Sequence, residues 1–355
     1  MSSTWGTNIE LSIFGESHGE AIGVVIGNLP AGIVLDYDDI DMQMKRRAPG
    51  SNSLTTSRKE SDHVKIVSGV MNGITTGAPL CAMIENTNQH SKDYDVLKEC
   101  MRPSHADYSA FVKYRGFNDV RGGGHFSGRL TAPIVFAGTI AKQILKQKGI
   151  YVGSHILSIN DVKDSHFDVN ISKEILGTLT SESTINKDVY EDMKQVIEKA
   201  KVSGDSVGGK IECALIHVPA GVGSPFFDSL ESHISSLMFS IPGIKSISFG
   251  LSDDITSLYG SEANDCYCYE GDEVKTLSNY NGGILGGISN GMPVVFHVGI
   301  KPTSSISKKQ NTINVKTKEN VELELQGRHD PCIVLRAGVV VESVAALALL
   351  DMMGY

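Results

Sequence analysis

A chain of 355 residues, 41% hydrophobic and 21% charged, is long enough to bury a sizeable core and too apolar for wholesale disorder. Its formal net charge of −9 excludes the overall basic footprint of a nucleic-acid binder. The first residues, MSSTWGTNIELS, lack a basic stretch followed by an apolar run, and no apolar stretch reaches about 18 residues, so a cytoplasmic protein without a membrane partner is expected. Six cysteines are scattered along the chain. Only Cys266 and Cys268 are close, and no second pair completes a metal site, which predicts reduced thiols and no metal.

In chain order, strands are predicted over 10–14 and 23–26. Gly15-Glu16-Ser17-His18-Gly19-Glu20 lies between them, and a turn needs the glycines but not an acid, a hydroxyl and an imidazole in succession. Asp36 caps a helix through about residue 47, with Ile40 and Met44 four apart, and Ala48-Pro49-Gly50 stops it. The helix ends on Lys45-Arg46-Arg47, with Arg58-Lys59 following. These cations suit either a solvated helix end or an anion site. After a strand over 64–67 comes Arg102-Pro103-Ser104-His105-Ala106-Asp107. Here His105 is either an idle helix-start residue or a general acid anchored by the arginine three residues earlier.

Arg121-Gly122-Gly123-Gly124-His125-Phe126-Ser127-Gly128-Arg129 then leads into a helix over 131–148, whose Ile134, Ala137, Gly138, Ala141, Ile144 and Leu145 form one stripe. The glycine run is either a flexible loop or a set of N–H groups offered to a phosphate. It lacks the Lys-Ser/Thr of a nucleotide-triphosphate loop. Strands follow over 151–156, 210–217, 245–249 and 294–298, and helices over 187–201 and 227–239. Three more polar or glycine-rich clusters stand out: Gly282 to Gly291, Lys301-Pro302-Thr303-Ser304-Ser305, and Gly327-Arg328-His329-Asp330-Pro331-Cys332. A last helix over 342–353 is apolar nearly all round and is expected to be deeply buried. No linker or repeat divides the chain, so the pattern gives an α+β fold in a single domain spanning 1–355. Together the clusters imply a pocket rich in Arg, Lys and His inside an acidic protein, suited to a multiply anionic ligand.

In this order the clusters closely resemble the chorismate synthase family. Gly15 to Gly19 with Gly27-Asn28-Leu29-Pro30-Ala31-Gly32 is similar to its first signature, Gly124 to Ile140 to its second, and Arg328 to Ser343 to its third. The resemblance runs essentially end to end. It implies a β-α-β sandwich with helices between two antiparallel sheets, usually a homotetramer. It also implies a 1,4-anti elimination of phosphate from 5-enolpyruvylshikimate-3-phosphate that needs reduced FMN without net redox change. By position, His18 matches the histidine near the departing phosphate, and His105 the one that protonates the reduced flavin near N1 and O2. Asp330 matches the acid that, with flavin N5, helps remove the substrate proton. Ser17, Arg46, Arg47, Arg129 and Arg328 match the substrate-binding set. Flavin contacts are implied for His125, Phe126, Ser127, Pro242, Gly243, Gly286, Lys301, Pro302, Thr303, Ser304, Ser305 and Arg328.

The chain departs from the family pattern at His125 (usually Arg), Phe126 (a small hydroxyl residue), Leu130 (an acid), Ser104 (commonly Gly), Ser53 (often Arg) and Gly338. These changes predict altered binding constants in a working site. Some members also reduce their own flavin with NADPH, but nothing here resembles a dedicated nicotinamide domain. A non-catalytic flavin- or anion-binding relative is the alternative from another class.

Overall fold

The computed structural model describes residues 3–50, 54, 62–86, 96–179, 183–325 and 330–354. Five strands form a first antiparallel sheet: β1 (Thr4–Trp5), β2 (Glu10–Gly15), β3 (Ala21–Gly27), β4 (Lys65–Ser68) and β5 (Leu80–Glu85), in the order β1-β2-β3-β5-β4. Five more form a second: β6 (Tyr151–Ile159), β7 (Val162–Lys163), β8 (Gly209–Ile216), β9 (Ile244–Phe249) and β10 (Val294–Ile300), in the order β9-β10-β8-β6-β7. The α-helices are α1 (Tyr37–Arg47), α2 (Asp107–Tyr114), α3 (Thr131–Gln147), α4 (Lys173–Thr178), α5 (Lys187–Val202), α6 (Leu230–Met238), α7 (Gly260–Ala263) and α8 (Val334–Met353).

The α3 and α8 helices pack on each other between the sheets. α3 lies against β3 and β5, α8 against β6 and β8, and α1 and α6 complete the middle layer. The β-α-β sandwich and α+β class expected from the sequence are thus the architecture observed. One continuous core runs from Ile9 and Leu11 through the α3 stripe to Leu350. No helix among the described residues is long and apolar enough to cross a membrane.

Local chemistry explains most of the boundaries. The Asp36 side chain accepts the Asp39 N–H at 3.1 Å and starts α1 as predicted. Ser229 accepts the Ser232 N–H at 3.0 Å, so α6 begins at Leu230 rather than 227. His217 takes φ 62° and leaves β8 one residue early. The β5 strand was not anticipated. Leu80, Ala82 and Ile84 are buried in alternation, but Cys81, Ala82 and Met83 give little β-branched signal. α8 starts eight residues before its predicted beginning. The added turns are rich in valine and contain Gly338, poor helix formers whose nearly complete burial overrides propensity. Close approach explains two glycines. A Cβ on Gly138 of α3 would lie 2.2 Å from Cβ of Ser343 on α8, and one on Gly338 would lie 3.0 Å from Oγ of Ser154 on β6.

A buried ion cluster spans these layers. Glu342 of α8 accepts two hydrogen bonds from Arg46 of α1, both 2.7 Å, one from Lys142 of α3 at 3.1 Å and one from Ser154 at 2.8 Å. Burial alone would raise the Glu342 pKa, but the facing Arg46 and Lys142 outweigh it and pull it from 4.5 to about 2. Burial dominates at Lys142 and lowers its pKa, whereas at Arg46 the pairing overcomes burial and raises it. The Arg46 pair therefore carries the charge compensation. A carboxyl held below its unfolded value contributes stability that is complete above about pH 4.5 and lost as pH falls toward about 2. Glu342→Gln is expected to cost about 3–5 kcal/mol at neutral pH. It should also flatten the acid limb of stability in that window, as read by urea denaturation across pH.

Candidate active site

The turn between β2 and β3 carries Ser17 and His18. The Ser17 N–H donates to the Gly124 carbonyl at 3.2 Å and its hydroxyl to the Arg121 carbonyl at 3.2 Å, which leaves Oγ to accept from His18 Nδ1 at 3.1 Å. The glycine run thus docks directly on this turn. Gly122 and Gly123 have φ of 62° and 101°, and Gly124 combines φ 55° with ψ −128°, a conformation open only to glycine. A Cβ on Gly122 would lie 2.1 Å from His18 Cε1, and one on Gly123 would lie 3.3 Å from His105 Nε2. Consecutive glycines therefore back the two histidine rings. A 3₁₀ turn, Gly128–Leu130, separates the run from α3, which opens only at Thr131, so the run does not form that helix's N-terminus.

His105 precedes α2 and follows Ser104, which adopts φ 58°, in the left-handed region that favours glycine. His105 Nδ1 donates to Asp107 Oδ1 at 2.5 Å, while Arg102 Nε and Nη2 donate to the same carboxylate at 2.7 and 2.8 Å. Burial opposes ionisation of Asp107, but the hydrogen bonds from Arg102 and His105 prevail and hold its carboxyl well below the usual range. This pairing sets the His105 tautomer and turns Nε2 toward Gly123. The segment 301–305 lies alongside. Lys301 Nζ donates to the Ser104 carbonyl, and Arg102 Nη1 to Ser305 Oγ at 3.3 Å. Burial, and then Lys245, lower the Lys301 pKa. The Lys301 N–H donates to the Gly243 carbonyl at 3.0 Å, which brings Pro242 and Gly243 to the group. Ser206 donates to the Thr303 carbonyl at 2.7 Å, whereas the shielded Thr303 hydroxyl has no hydrogen-bond partner among the described residues.

A cluster of arginines completes the site. Arg47 Nε donates to Asp62 Oδ2 at 2.7 Å, and Arg129 donates to Oδ1 of the same buried carboxylate. Arg129 also donates to Asn86 Oδ1 at 3.2 Å, and Asn86 donates to the Glu16 and Gly19 carbonyls at 3.0 and 2.9 Å, tying the cluster to the His18 turn. Asp330 accepts from Arg336 Nη2 at 2.8 Å and Nε at 3.1 Å, and Arg336 Nη1 donates to the Arg47 carbonyl at 3.2 Å. Burial lowers the Arg47 pKa; Asp62 offsets this, while Arg336 and Arg129 push it further down. Such crowded guanidinium groups favour an anionic ligand.

Not every predicted residue joins this constellation. Arg46 turns elsewhere: its guanidinium bonds Glu342 and Gln43 in the helix layer rather than Asp62. Both His125 nitrogens are engaged, Nδ1 with the Gly15 carbonyl at 2.7 Å and Nε2 with Ser3 Oγ at 2.8 Å, which braces the glycine loop against the first sheet. Phe126 meets the Tyr114 ring of α2, with centroids 6.1 Å apart, and Ser127 caps the 3₁₀ turn. Gly286 sits with φ 62° at the tip of a small hairpin tied to Gly223 and Leu230, with open space around its Cβ position. Pro302 and Ser304 lie on the docked 301–305 segment. Arg328, with Ser53, Arg58 and Lys59, falls outside the described residues. Sequence reasoning missed the organising roles of Asp62, Asn86 and Arg336. Only Arg336 left a trace, as part of the third signature.

Imidazoles and guanidinium groups held by carboxylates in this way suit proton handling beside an anion, the chemistry of an enzyme site. The chorismate synthase family profile matches residues 9–353. A chorismate synthase from Dehalococcoides mccartyi is 41% identical over 358 residues, covering 99% of this chain and 96% of that protein. One from Thermococcus gammatolerans is 42% identical over 346 residues, covering 98% and 96%. A crystal structure of chorismate synthase superposes with a TM-score of 0.76 at 27% identity, covering 98% of this chain and 92% of the other. The chain belongs to the chorismate synthase family, lyases of the shikimate pathway.

The Asp62 carboxylate is shared by Arg47 and Arg129. Asp62→Asn is expected to destabilise the protein by about 3–5 kcal/mol by leaving buried guanidinium charge unmatched. Added inorganic phosphate should recover more of the melting temperature in the variant than in the parent, because it binds the vacated cations of the folded state.

Proposed function

We propose that this protein eliminates phosphate and a proton from 5-enolpyruvylshikimate-3-phosphate to give chorismate, with reduced FMN bound beside His105. The reading rests on one observation above all: His18 and His105 are backed by consecutive glycines, next to the group formed by Arg47, Arg129 and Arg336. The substrate carries a phosphate and two carboxylates, and a phosphate leaves more readily when its growing charge is neutralised by preorganised donors. Arg47 and Arg129 supply that field. Each guanidinium is planar with five N–H donors, a geometry that suits phosphate and carboxylate. His18, with Nδ1 bonded to Ser17, stands by the departing phosphate as its proton source. Asp330, oriented by Arg336, accepts the substrate proton.

The residues present fit a flavin. Lys301, the partnerless Thr303 hydroxyl, Ser305 and Gly243 form a polar, closely approachable wall beside His105. When bound, reduced FMN would lend electron density to the substrate as phosphate departs, without net redox change. His105 holds a proton for the flavin N1 and O2 edge, because Asp107 fixes Nδ1 and leaves Nε2 for the exchange. The reading extends to a homotetramer in the cytoplasm. Phe226 and Phe227 are 84% and 94% exposed, apolar surface that a second copy would cover.

Chorismate formation from 5-enolpyruvylshikimate-3-phosphate under anaerobic conditions tests the reading. Product is expected with chemically reduced FMN and not with oxidised FMN; absence of product from folded, FMN-binding protein would defeat it. Product with NADPH and oxidised FMN alone would add flavin reduction to the activity. His105→Ala is expected to lower the rate by about 10²–10⁴. A loss below about threefold with folding intact would remove His105 from acid–base work.

A further inference from the structure

The second sheet carries another polar group on the face turned away from α8. Ser154 of β6 reaches Glu342 of α8, so its chain neighbour His155 points to the opposite side. In the strand register Glu212 of β8 stands directly between His155 of β6 and His297 of β10. The segment after β7 adds His166 above this row. His166 Nδ1 and His297 Nε2 lie 2.8 and 2.7 Å from Glu212 Oε1. His155 Nε2 and the Phe167 N–H donate to Oε2 at 2.8 and 2.7 Å. The candidate donor atoms of His166, Glu212 and His297 all lie within 4.8 Å of one another.

We propose that His166, Glu212 and His297 form a binding site for a divalent transition metal, zinc by its chemistry, separate from the site of the lyase reaction. Two imidazoles and one carboxylate are a donor set that zinc accepts with a fourth position left open. The second carboxylate oxygen is held by His155 and the Phe167 N–H, the kind of outer support that fixes a metal-binding carboxylate. Charge argues the same way. Glu212 is buried, and so is Asp164, whose Oδ2 lies 3.2 Å from His155 Nδ1. Among the described residues no lysine or arginine forms an ion pair with either carboxylate; near His166, Asp254 adds negative potential and Lys210 offsets part of it. With neutral imidazoles the pocket therefore carries uncompensated negative charge, which a dication neutralises. The His166 side chain is 61% exposed and provides the entry path. On binding, each neutral imidazole gives its ligating nitrogen's lone pair to the metal and carries its proton on the other nitrogen, with a water filling the open position. The metal would pin the loop bearing His166 and Phe167 to the sheet.

The test uses the full chain, stripped with a chelator and titrated with zinc chloride at pH 7.5. The expected result is one zinc per chain by elemental analysis and a raised melting temperature. A cobalt-loaded sample should show the visible ligand-field absorption of a low-coordinate site. His166→Ala, at an exposed loop position, should weaken zinc binding by roughly tenfold or more and abolish the cobalt spectrum, with lyase activity unchanged. His297→Ala should do the same wherever it folds. Failure to bind zinc stoichiometrically would overturn the proposal, leaving the cluster as hydrogen-bonded histidines around a carboxylate. Undiminished binding in His166→Ala would assign the metal to other residues and overturn it equally.

Discussion

The placement of the helix layer depends on the buried carboxylate of Glu342. It meets Arg46 of α1, Lys142 of α3 and Ser154 of β6, so one group of the longest helix fixes two other helices and a sheet. A lone buried ion pair seldom repays the desolvation of its charges. Here the carboxylate accepts four hydrogen bonds, which satisfies its lone pairs and makes burial tolerable. The consequence reaches the active site through the next residue. Because Arg46 is locked to Glu342, the end of α1 is set in rotation, and Arg47 is delivered to Asp62 and the arginine cluster. Successive helix residues project about 100° apart, so the two arginines serve different surfaces of one helix.

Carboxylates recur as organisers of the cationic site. Asp62 spaces Arg47 and Arg129, Asp107 orients His105 and Arg102, and Asp330 is held by Arg336. This reconciles a chain of net charge −9 with a pocket suited to polyanions. Each acid keeps a cation in place before the ligand arrives, so little reorganisation is needed when negative charge enters. The glycine run works on the same principle. Its left-handed backbone lets His18 approach at a distance a side chain would forbid and His105 at one a side chain would crowd.

How far the sequence reveals this depends on the range of the interaction. α1, α3 and α5 follow from caps and from 3.6-residue stripes, because a helix is decided within its own residues. β5 escapes because Cys, Ala and Met occupy a strand that only its partners stabilise, and the first turns of α8 escape because burial, not propensity, makes Val334 to Val341 helical. Within the site, the unusual chemistry of His18, His105, Arg129 and Asp330 is visible as clusters. Arg46 and Arg47 are indistinguishable by type and position, however, and only the third dimension assigns one to Glu342 and the other to Asp62. Asp330 is paired with Arg336, six residues later in the first turn of α8, a partner that no local sequence pattern announces.

The same limit hides the histidine group of the second sheet. His155, His166, Glu212 and His297 have no motif spacing; strand pairing makes His155, Glu212 and His297 neighbours, and the segment after β7 adds His166. That pairing is delicate. Ser158 of β6 is opposite Lys210 of β8, but Ile156 is opposite Ile211, so Leu157 is an extra residue in the ladder. Beyond this bulge the alternation places Ser154 inward at Glu342 and His155 outward at Glu212. Without the inserted residue, side chains on this stretch of β6 would exchange faces. Ser154 would leave the Glu342 cluster and His155 would be driven into the helix layer. One bulge thus keeps two buried polar networks apart on opposite faces of a single strand, and both the site-building helix layer and the outer histidine group require it.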